Sequence, residues 1–462
     1  MKLKRGTLFL MVLVATLALV LAGCGNLFGS DDNDNAGFAV GDTLPNGFTV
    51  TYIDPAGGYI AQRDEIDHDG DDATAAENQS VISGSFTANV TMSKDRVWYL
   101  DGPVVIGNNT DAGNTLTVQP GTIVKGEPGS GPANTGVLII TRGSKINAEG
   151  TAAEPITFTS SKLTGFREPG DWGGIVINGY APVQGGTAEG EGDSGEYGGD
   201  EADDDSGVIK YVRVQFAGTQ FTPEDELNGI AFQGVGTGTT VEYVQVHRNA
   251  DDGLEFFGGT VQVKYAVLTG IQDDSLDADD GWTGSVQYAA IQQWDDGDTA
   301  LELDGDATPS GGTLAPSDGI FANLTIIGHP GSDGDATMVL KSNADQRLYN
   351  VLVHNSNNPA ILDSEADTPE YNGVVLPVGA SETSGWANGA NGNAFEDVTG
   401  LGVYDAATPA ANFDVVPDSV STSAVSVPAT DTAGNSLDAT PGFMGAVGST
   451  DWTSGWIDLP LN

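Results

Sequence analysis

The chain has 462 residues, of which 65 are acidic and 17 are basic, and its net charge is −48. This charge repels nucleic acid and anionic lipid, which excludes both as partners bound through charge. The 65 glycines and 21 prolines disfavour helices, and an apolar content of 39% is too high for a disordered chain. A single cysteine allows no internal disulfide. We therefore expect an all-β body stabilised by a core, by stacking or by metal.

The first 24 residues predict an exported, lipid-anchored protein. The cationic start Met1-Lys2-Leu3-Lys4-Arg5 precedes an apolar run from Leu8 to Ala22 that is too short for a comfortable membrane span. The run ends in Leu21-Ala22-Gly23-Cys24, where small residues admit a signal peptidase and the Cys24 thiol accepts a diacylglycerol. We expect acylated Cys24 to insert into the lipid bilayer. The segment resembles a bacterial lipobox, and in a Gram-negative host this resemblance, with Gly25 rather than Asp after the cysteine, implies sorting to the outer membrane. The alternative is an ordinary secretory signal with a chance cysteine.

The sequence predicts five parts. They are a signal peptide over 1–23, a lipidated acidic tether over 24–48, an N-terminal segment and cap over 49–96, a β-helix over 97–400, and C-terminal strands and a cap over 401–462. Cleavage after residue 23 removes three of the 17 basic residues and no acid, so 14 basic residues would remain against 65 acidic ones. The mature net charge would therefore be −51.

Internal repeats indicate the fold. The segment Asp252-Gly253-Leu254-Glu255-Phe256-Phe257 recurs 22 residues later as Asp274-Ser275-Leu276-Asp277-Ala278-Asp279, and 25 residues after that as Thr299-Ala300-Leu301-Glu302-Leu303-Asp304. A second string, Val241-Glu242-Tyr243-Val244, recurs at Val263 and Val286 with spacings of 22 and 23. Repeats of this length are typical of a solenoid.

About 22 residues per coil, with three short strands and three turns, predict a right-handed parallel β-helix. Successive coils stack about 4.8 Å apart, so equivalent residues form columns. Because side chains alternate along a strand, Leu254, Leu276 and Leu301 would point inward and their neighbours Glu255, Asp277 and Glu302 outward. A β-sandwich also has short alternating strands, but it does not repeat the same residues every 22 positions.

Several motifs resemble a family of secreted, often lipid-anchored bacterial proteins with a pectin-lyase-like β-helix. They are Gly170-Asp171-Trp172-Gly173-Gly174-Ile175-Val176-Ile177-Asn178-Gly179, Asp252-Gly253-Leu254-Glu255-Phe256-Phe257-Gly258-Gly259-Thr260, Asp273-Asp274-Ser275-Leu276-Asp277 and Asp451-Trp452-Thr453-Ser454-Gly455-Trp456. The resemblance runs from about residue 97 to the C-terminus. It implies a fold and a compartment, and it transfers no catalytic residue.

Columns of carboxylates predict a calcium site. Two carboxylates one coil apart repel each other by roughly 1 kcal/mol in water and by more where they are shielded, so a column needs a cation, protons or full solvation. Ca²⁺ fits best, because it accepts six to eight oxygens in loose geometry. The predicted ligands are Asp252, Glu255, Asp274, Asp277, Asp279, Asp296, Asp298, Glu302 and Asp304. A solvated, salt-adapted acidic surface and a proton-donating carboxylate pair are the alternatives.

Other residues give weaker signals. Asp67-His68-Asp69-Gly70-Asp71-Asp72 is a second calcium candidate or an acidic turn, and the acidic insertion over 189–205 favours a mobile solvated loop. The four histidines lack the spacing of a zinc site. Arg248 or Lys264 could serve as a base, and Trp282 and Trp294 are candidates for stacking on a sugar. We expect Trp452 and Trp456 to cover the last coil, and Asn323 and Asn350 to form an asparagine ladder at a turn.

The sequence favours a non-catalytic, calcium-stabilised scaffold, adhesion or ligand-binding lipoprotein at the bacterial outer membrane or cell surface, with a glycan or surface partner. The alternative is a carbohydrate-active protein, either a polysaccharide lyase or a glycan-binding module. A self-assembling fibre is permitted by stackable coils, but the net charge opposes it.

Overall fold

The computed structural model describes residues 38–66, 77–110, 113–222, 225–305, 317–329, 336–356, 360–364, 369–381, 386–405 and 413–462. In these residues 27 strands join into one sheet, wound as a right-handed parallel β-helix. The predicted fold class is thereby confirmed. No helix in the described part of the chain is long and apolar enough to span a membrane.

An antiparallel group of strands precedes the coils. It consists of β1 (Thr49–Ile53), β2 (Tyr59–Ile66) and β3 (Glu77–Phe86). Its buried side chains, among them Phe48 and Val50, form a small apolar cluster of their own. Parallel pairing begins where β3 meets β5 (Val97–Ile106).

Each coil presents three faces, which we number in the order in which the chain crosses them. Face 1 consists of β4 (Val90–Met92), β6 (Thr115–Val118), β9 (Lys145–Glu149), the first halves of the long strands β14 (Gly207–Gln215), β18 (Thr240–His247), β20 (Gln262–Thr269), β22 (Ser285–Gln292) and β24 (Ile320–Ile327), and β26 (Arg347–Tyr349) and β29 (Glu370–Asn372). Face 2 consists of β7 (Ile123–Gly126), β10 (Ile156–Ser160), the second halves of the same long strands, and β27 (Leu352–His354), β30 (Val375–Leu376) and β31 (Ala394–Phe395).

Face 3 carries the acidic columns. Its strands are β8 (Val137–Ile140), β11 (Ile175–Asn178), β17 (Ile230–Gln233), β19 (Leu254–Phe257), β21 (Leu276–Asp279), β23 (Leu301–Asp304), β25 (Met338–Lys341) and β28 (Ile361–Ser364). Two antiparallel hairpins interrupt the coils beside this face. One is β12 (Ala188–Gly190) with β13 (Gly195–Tyr197), joined by a 3₁₀ turn over Glu191–Asp193; the other is β15 (Gln220–Thr222) with β16 (Asp225–Glu226).

The repeat register matches the prediction. Leu254 pairs with Leu276 and Leu276 with Leu301, and all three side chains are buried. On the long strands Val241 pairs with Val263, which pairs with Val286. The identical spacing in the sequence therefore reflects stacking in the fold, as a solenoid requires.

A row of packed aromatic rings runs through the core. The ring of Trp282 lies 4.6 Å from Phe256 and 5.4 Å from Phe321, measured between ring centroids, and its side chain is fully buried. The expectation that Trp282 stacks on a sugar is wrong, because the Trp282 ring points into the coil. Its neighbours in the acidic turn are the residues that reach solvent.

In the coils of the long strands, the corner between faces 1 and 2 is formed by one left-handed residue per coil. Tyr211, Tyr243, Tyr265 and Tyr288 have φ between 49° and 66°. This conformation costs an L-residue roughly 1–2 kcal/mol. The rings stack at centroid distances of 4.4, 4.4 and 5.1 Å, which offsets part of that cost.

Asn323 and Asn350 continue the corner column with φ of 56° and 55°. They occupy a turn, as predicted, but their amides bond to a distant segment. Asn323 Nδ2 donates to the Phe443 carbonyl at 3.1 Å, and Asn350 Nδ2 donates to the Val425 carbonyl at 2.9 Å. These bonds hold the C-terminal segment against the corner.

Where the sequence predicts C-terminal strands and a cap, residues 413–462 instead form a strap with isolated bridges only, running back along the coils. The expectation that Trp452 and Trp456 cover the last coil is also wrong. Both rings pack edge-on against the tyrosine column of the earlier coils, at centroid distances of 5.3 to 6.4 Å. The physical reason is that this stack presents a flat apolar surface that would otherwise face water.

Candidate metal centre

The acidic columns on face 3 lie in register. Glu255 pairs with Asp277, and Asp277 pairs with Glu302. The residues before and after each carboxylate in its own strand point into the core. Because side chains alternate along a strand, the three carboxylates therefore lie on the outer surface of the sheet. The columns are therefore a direct consequence of the repeat.

A second row of carboxylates comes from the turn before each strand. Asp252 Oδ1 accepts the backbone N–H of Asp274 at 2.9 Å, and Asp274 Oδ1 accepts that of Thr299 at 2.9 Å. Each carboxylate thus caps the turn of the next coil. Thr299 stands where a third aspartate would continue the row, and its hydroxyl donates to Asp274.

These rows converge. Oxygens of Asp252, Glu255 and Asp277 lie within 4.8 Å of one another, and the same holds for two further groups, Asp252–Asp273–Asp274 and Asp274–Asp277–Glu302. Asp252, Asp274 and Asp277 each belong to two groups. We call the set the acidic ladder, and its members are Asp252, Glu255, Asp273, Asp274, Asp277 and Glu302.

The charged form of the acidic ladder is costly to the fold. Burial raises the pKa of Asp252, Glu255, Asp274 and Asp277 well above the ordinary values, and repulsion between neighbouring carboxylates raises it further. Burial, followed by the charge of Asp298, raises the pKa of Asp273 to about 6. Shifts of this kind mean that the folded chain disfavours the charged forms of these carboxyl groups, which therefore retain protons or need a counter-charge.

Two buried oxygens at the ladder lack hydrogen-bond partners. Asp277 Oδ1 is buried and unpaired. Asn228 is 2% exposed; its Nδ2 donates to Glu255 Oε2, while its Oδ1 is unpaired. An unpaired buried acceptor costs about 1–3 kcal/mol. Both atoms are hard oxygen donors of the kind that Ca²⁺ binds.

Four predicted ligands lie outside the three groups. Asp296 Oδ2 accepts from Arg248 Nη1 at 3.1 Å, and Asp304 lies 3.8 Å from Lys341 Nζ. Asp279 accepts the N–H of Asp280 at 2.6 Å, and Asp298 approaches through its backbone, whose N–H donates to the Asp273 carbonyl at 3.3 Å. The predicted residues that the structure brings together are therefore Asp252, Glu255, Asp274, Asp277 and Glu302.

A fourth group contains a residue that the repeat does not indicate. Oxygens of Glu226, Asp251 and Asp273 lie within 4.8 Å of one another. Asp251 and Asp273 belong to the repeated turns, so their proximity follows from the coil period. Glu226 comes from the β15–β16 hairpin, and no sequence spacing places it here.

The predicted alternatives for chemistry occupy other environments. Lys264 Nζ donates to the Ser436 carbonyl at 2.7 Å, at the strap. The Arg248 guanidinium lies 4.8 Å from the centroid of the Trp294 ring, and Trp294 is buried and stacked on Tyr404 at 4.6 Å. Trp294 is therefore a packing residue, and a sugar does not reach its face.

The structure describes one of the remaining predicted segments and leaves two outside the described residues. The insertion over 189–205, expected to be a mobile solvated loop, forms the β12–β13 hairpin and buries Tyr197 and Asp204. Cys24 and the Asp67–Asp72 loop lie outside the described residues, so their roles stay predictions.

The donor set fits calcium better than a smaller ion. Carboxylates shared between adjacent groups supply many oxygens without a fixed octahedron, which suits Ca²⁺ and disfavours Mg²⁺. Of the described basic side chains, Lys341 touches the ladder, and its Nζ lies 2.8 Å from Glu302 Oε2. One ammonium does not neutralise six carboxylates, so the ladder needs protons or further cations to balance its charge.

Comparison with known proteins agrees with the fold. No significant match was found among curated proteins or among solved structures. A family model, described as a pectate-lyase-like beta helix domain, matches residues 84–457. That range includes every coil from β4 onward, the acidic ladder and most of the strap, and the chain therefore belongs to the pectate-lyase-like β-helix family.

Proposed function

We propose that this protein is a calcium-stabilised β-helix scaffold that presents a binding surface at the bacterial cell surface, anchored in the outer membrane through acylated Cys24. The observation that carries the proposal is the convergence of three carboxylate groups with shared members on face 3. The anchor is supported by the sequence of residues 21–24.

Burial argues for a structural role of the metal. Asp252 and Asp274 are 6% and 5% exposed, and each also caps a turn of the neighbouring coil. A cation held there links successive coils, and little of its coordination sphere is open to a substrate. The free energy of binding then becomes free energy of folding.

Calorimetric titration of the metal-free protein with Ca²⁺ tests this role. We expect saturable binding, and the Asp277→Asn variant should lose about tenfold or more in affinity, equivalent to about 1.4 kcal/mol. Asp277 belongs to two carboxylate groups, so its neutral analogue weakens both. Asp279→Asn is the matched control, since Asp279 lies on the same strand outside the groups. Absence of binding up to millimolar Ca²⁺ would refute the proposal.

A carbohydrate-active role is the second candidate, and the family match favours it. A lyase needs a base that reaches its substrate. The two described cations beside the acidic columns, Arg248 and Lys341, are both ion-paired. We expect incubation with polygalacturonate and Ca²⁺ to give no rise in ultraviolet absorbance from unsaturated products. A rise that scales with protein concentration would favour the lyase.

A further inference from the structure

The turn between β10 and β11 exposes two large apolar side chains. Leu163 is 43% exposed and Phe166 is 66% exposed. The Phe166 N–H donates to the Leu163 carbonyl at 3.0 Å, and Gly165 between them has a φ of +90°. Both side chains therefore lie on a closed turn. We call residues 162–167 the apolar turn.

One buried carboxylate fixes the base of the apolar turn. Asp171 is 4% exposed; its Oδ2 accepts the Ser160 hydroxyl at 2.5 Å, and its Oδ1 lies 2.5 Å from Lys162 Nζ. The Arg167 Nε donates to the Lys162 carbonyl at 2.9 Å. A turn that is already ordered loses little conformational entropy when a partner covers it. The apolar turn is thus prepared for contact.

Exposed apolar side chains are concentrated in the N-terminal part of the chain. Among the described residues seven large apolar side chains are exposed, and five of these lie between residues 38 and 166. The five are Phe38, Val40, Ile123, Leu163 and Phe166. Single exposed apolar residues are common on protein surfaces, whereas groups of them mark regions that contact another molecule or a membrane.

The coils around the apolar turn are electrically neutral. Residues 90–170 contain seven basic and seven acidic side chains, whereas the whole chain has a net charge of −48. These residues run from β4 to the apolar turn and form the coils that precede β11. A neutral surface lacks the repulsion that opposes contact between the rest of this anionic protein and phospholipid headgroups.

The apolar turn lies within reach of the predicted membrane anchor. Cys24 precedes Phe38 by 14 positions, and 14 residues span at most about 50 Å. The ring of Phe38 contacts that of Tyr59 on β2. From β2, face 2 continues through β3, β5 and β7 to β10, and four strand spacings amount to about 19 Å. The bilayer is therefore a partner that the anchor keeps close to the turn.

We propose that the apolar turn inserts Leu163 and Phe166 into the phospholipid bilayer that holds acylated Cys24, and so fixes the first coils against the membrane. This inference rests on the proposed function for the anchor. One anchor point limits the distance between the body and the bilayer, and a second contact sets the orientation of the body. Because the anchor makes the second contact intramolecular, burial of two apolar side chains suffices for it.

Electron paramagnetic resonance of a spin label on the turn tests this docking. The acylated full chain with Leu163→Cys is labelled in phosphatidylcholine vesicles, where acylated Cys24, the single natural cysteine, does not react. We expect the label to collide with oxygen dissolved in the bilayer and to be shielded from a water-soluble nickel complex. Addition of Phe166→Ser should lower the ratio of docked to undocked label about tenfold or more, because burial of a phenylalanine is lost.

Val378→Cys is the matched control. Val378 is 62% exposed and follows β30, the seventh strand after β10 on face 2. Seven strand spacings amount to about 34 Å. A label at this position should remain accessible to the nickel complex in the same vesicles.

The outcomes separate the docking from the anchor. If the parent chain carries no acyl group by mass spectrometry and does not float with the vesicles, the anchor and the docking both fail. If the chain floats while the label at residue 163 is as accessible to nickel as the label at residue 378, the docking alone fails. A label that stays shielded after Phe166→Ser also overturns the docking. The melting temperature of each variant shows whether it has folded.

Discussion

In metal-free buffer, the free energy of unfolding is expected to increase by several kcal/mol as the pH falls from 8 towards 4. Between the ordinary carboxyl pKa and the raised value, the folded state holds protons that the unfolded state has released. Stability therefore falls as the pH rises through this window. The window follows from the raised pKa values, about 8 for Asp251 and about 6 for Asp273, and from the upward shifts in the rest of the buried ladder.

His247 has the opposite effect on how the free energy of unfolding depends on pH. Its ring is fully buried, which lowers its pKa to about 4. Protonation of the unfolded state therefore removes about 3 kcal/mol of stability as the pH falls from about 6.5 to 4. One histidine opposes five acidic groups of the ladder and Asp251, so we expect the acids to determine the net slope.

Saturating Ca²⁺ should reverse this pH dependence, so that the free energy of unfolding falls as the pH falls. Protons then compete with the cation for the same oxygens, so acidification releases metal and the stability it contributes. At a free Ca²⁺ concentration 100 times the Kd, each site adds about 2.7 kcal/mol.

Denaturant unfolding at several pH values, with Ca²⁺ and in metal-free buffer, measures the slope of the free energy of unfolding against pH under each condition. The Asp277→Asn variant in metal-free buffer should be more stable than the parent at pH 8, because it removes a buried charge from the ladder. Asp279→Asn should have a smaller effect, because Asp279 lies outside the carboxylate groups and acts on the ladder only through its charge near Asp277. Equal slopes under both conditions would contradict the electrostatic account of the ladder.

The coils could be predicted because their information is local and repeated. Every 22 to 25 residues the same pattern returns, so the pairing of Glu255 with Asp277 and Glu302 follows from the sequence. The inward columns follow from alternation. The same logic places Asp252 above Asp274 at the turns.

Features outside the repeat could not be predicted. Glu226 reaches the carboxylates because Leu227 docks on a patch formed by strands far apart in sequence. Trp282 follows two aspartates in the chain, yet it turns into the core. The corner tyrosines were also hidden, because tyrosine is not typical of left-handed backbone and an alternating pattern does not show a bend.

Removal of residues 449–462 is expected to lower the free energy of unfolding by about 5 kcal/mol or more, since loss of one buried tryptophan costs about 3–5 kcal/mol. Trp456 is 1% exposed against the tyrosine column. The Asp458 N–H donates to Gln245 Oε1 at 2.9 Å, and Arg213 Nε donates to the Trp456 carbonyl at 2.5 Å. Denaturant unfolding of the truncated and full chains measures the loss.

The truncation also carries a spectroscopic readout that distinguishes a specific strap from general packing. His247 Nε2 lies 2.8 Å from the Pro460 carbonyl, which can only accept, so this nitrogen carries the proton. Its Nδ1 lies 2.7 Å from Thr269 Oγ1. Without the strap, water reaches the ring and its pKa should rise from about 4 towards the ordinary 6.5, as followed by nuclear magnetic resonance. Leu461→Ala, at a side chain that is 49% exposed, should leave the titration unchanged. If the pKa of His247 stays near 4 in the truncated chain, the strap does not bury this ring, and the coils themselves exclude water from it.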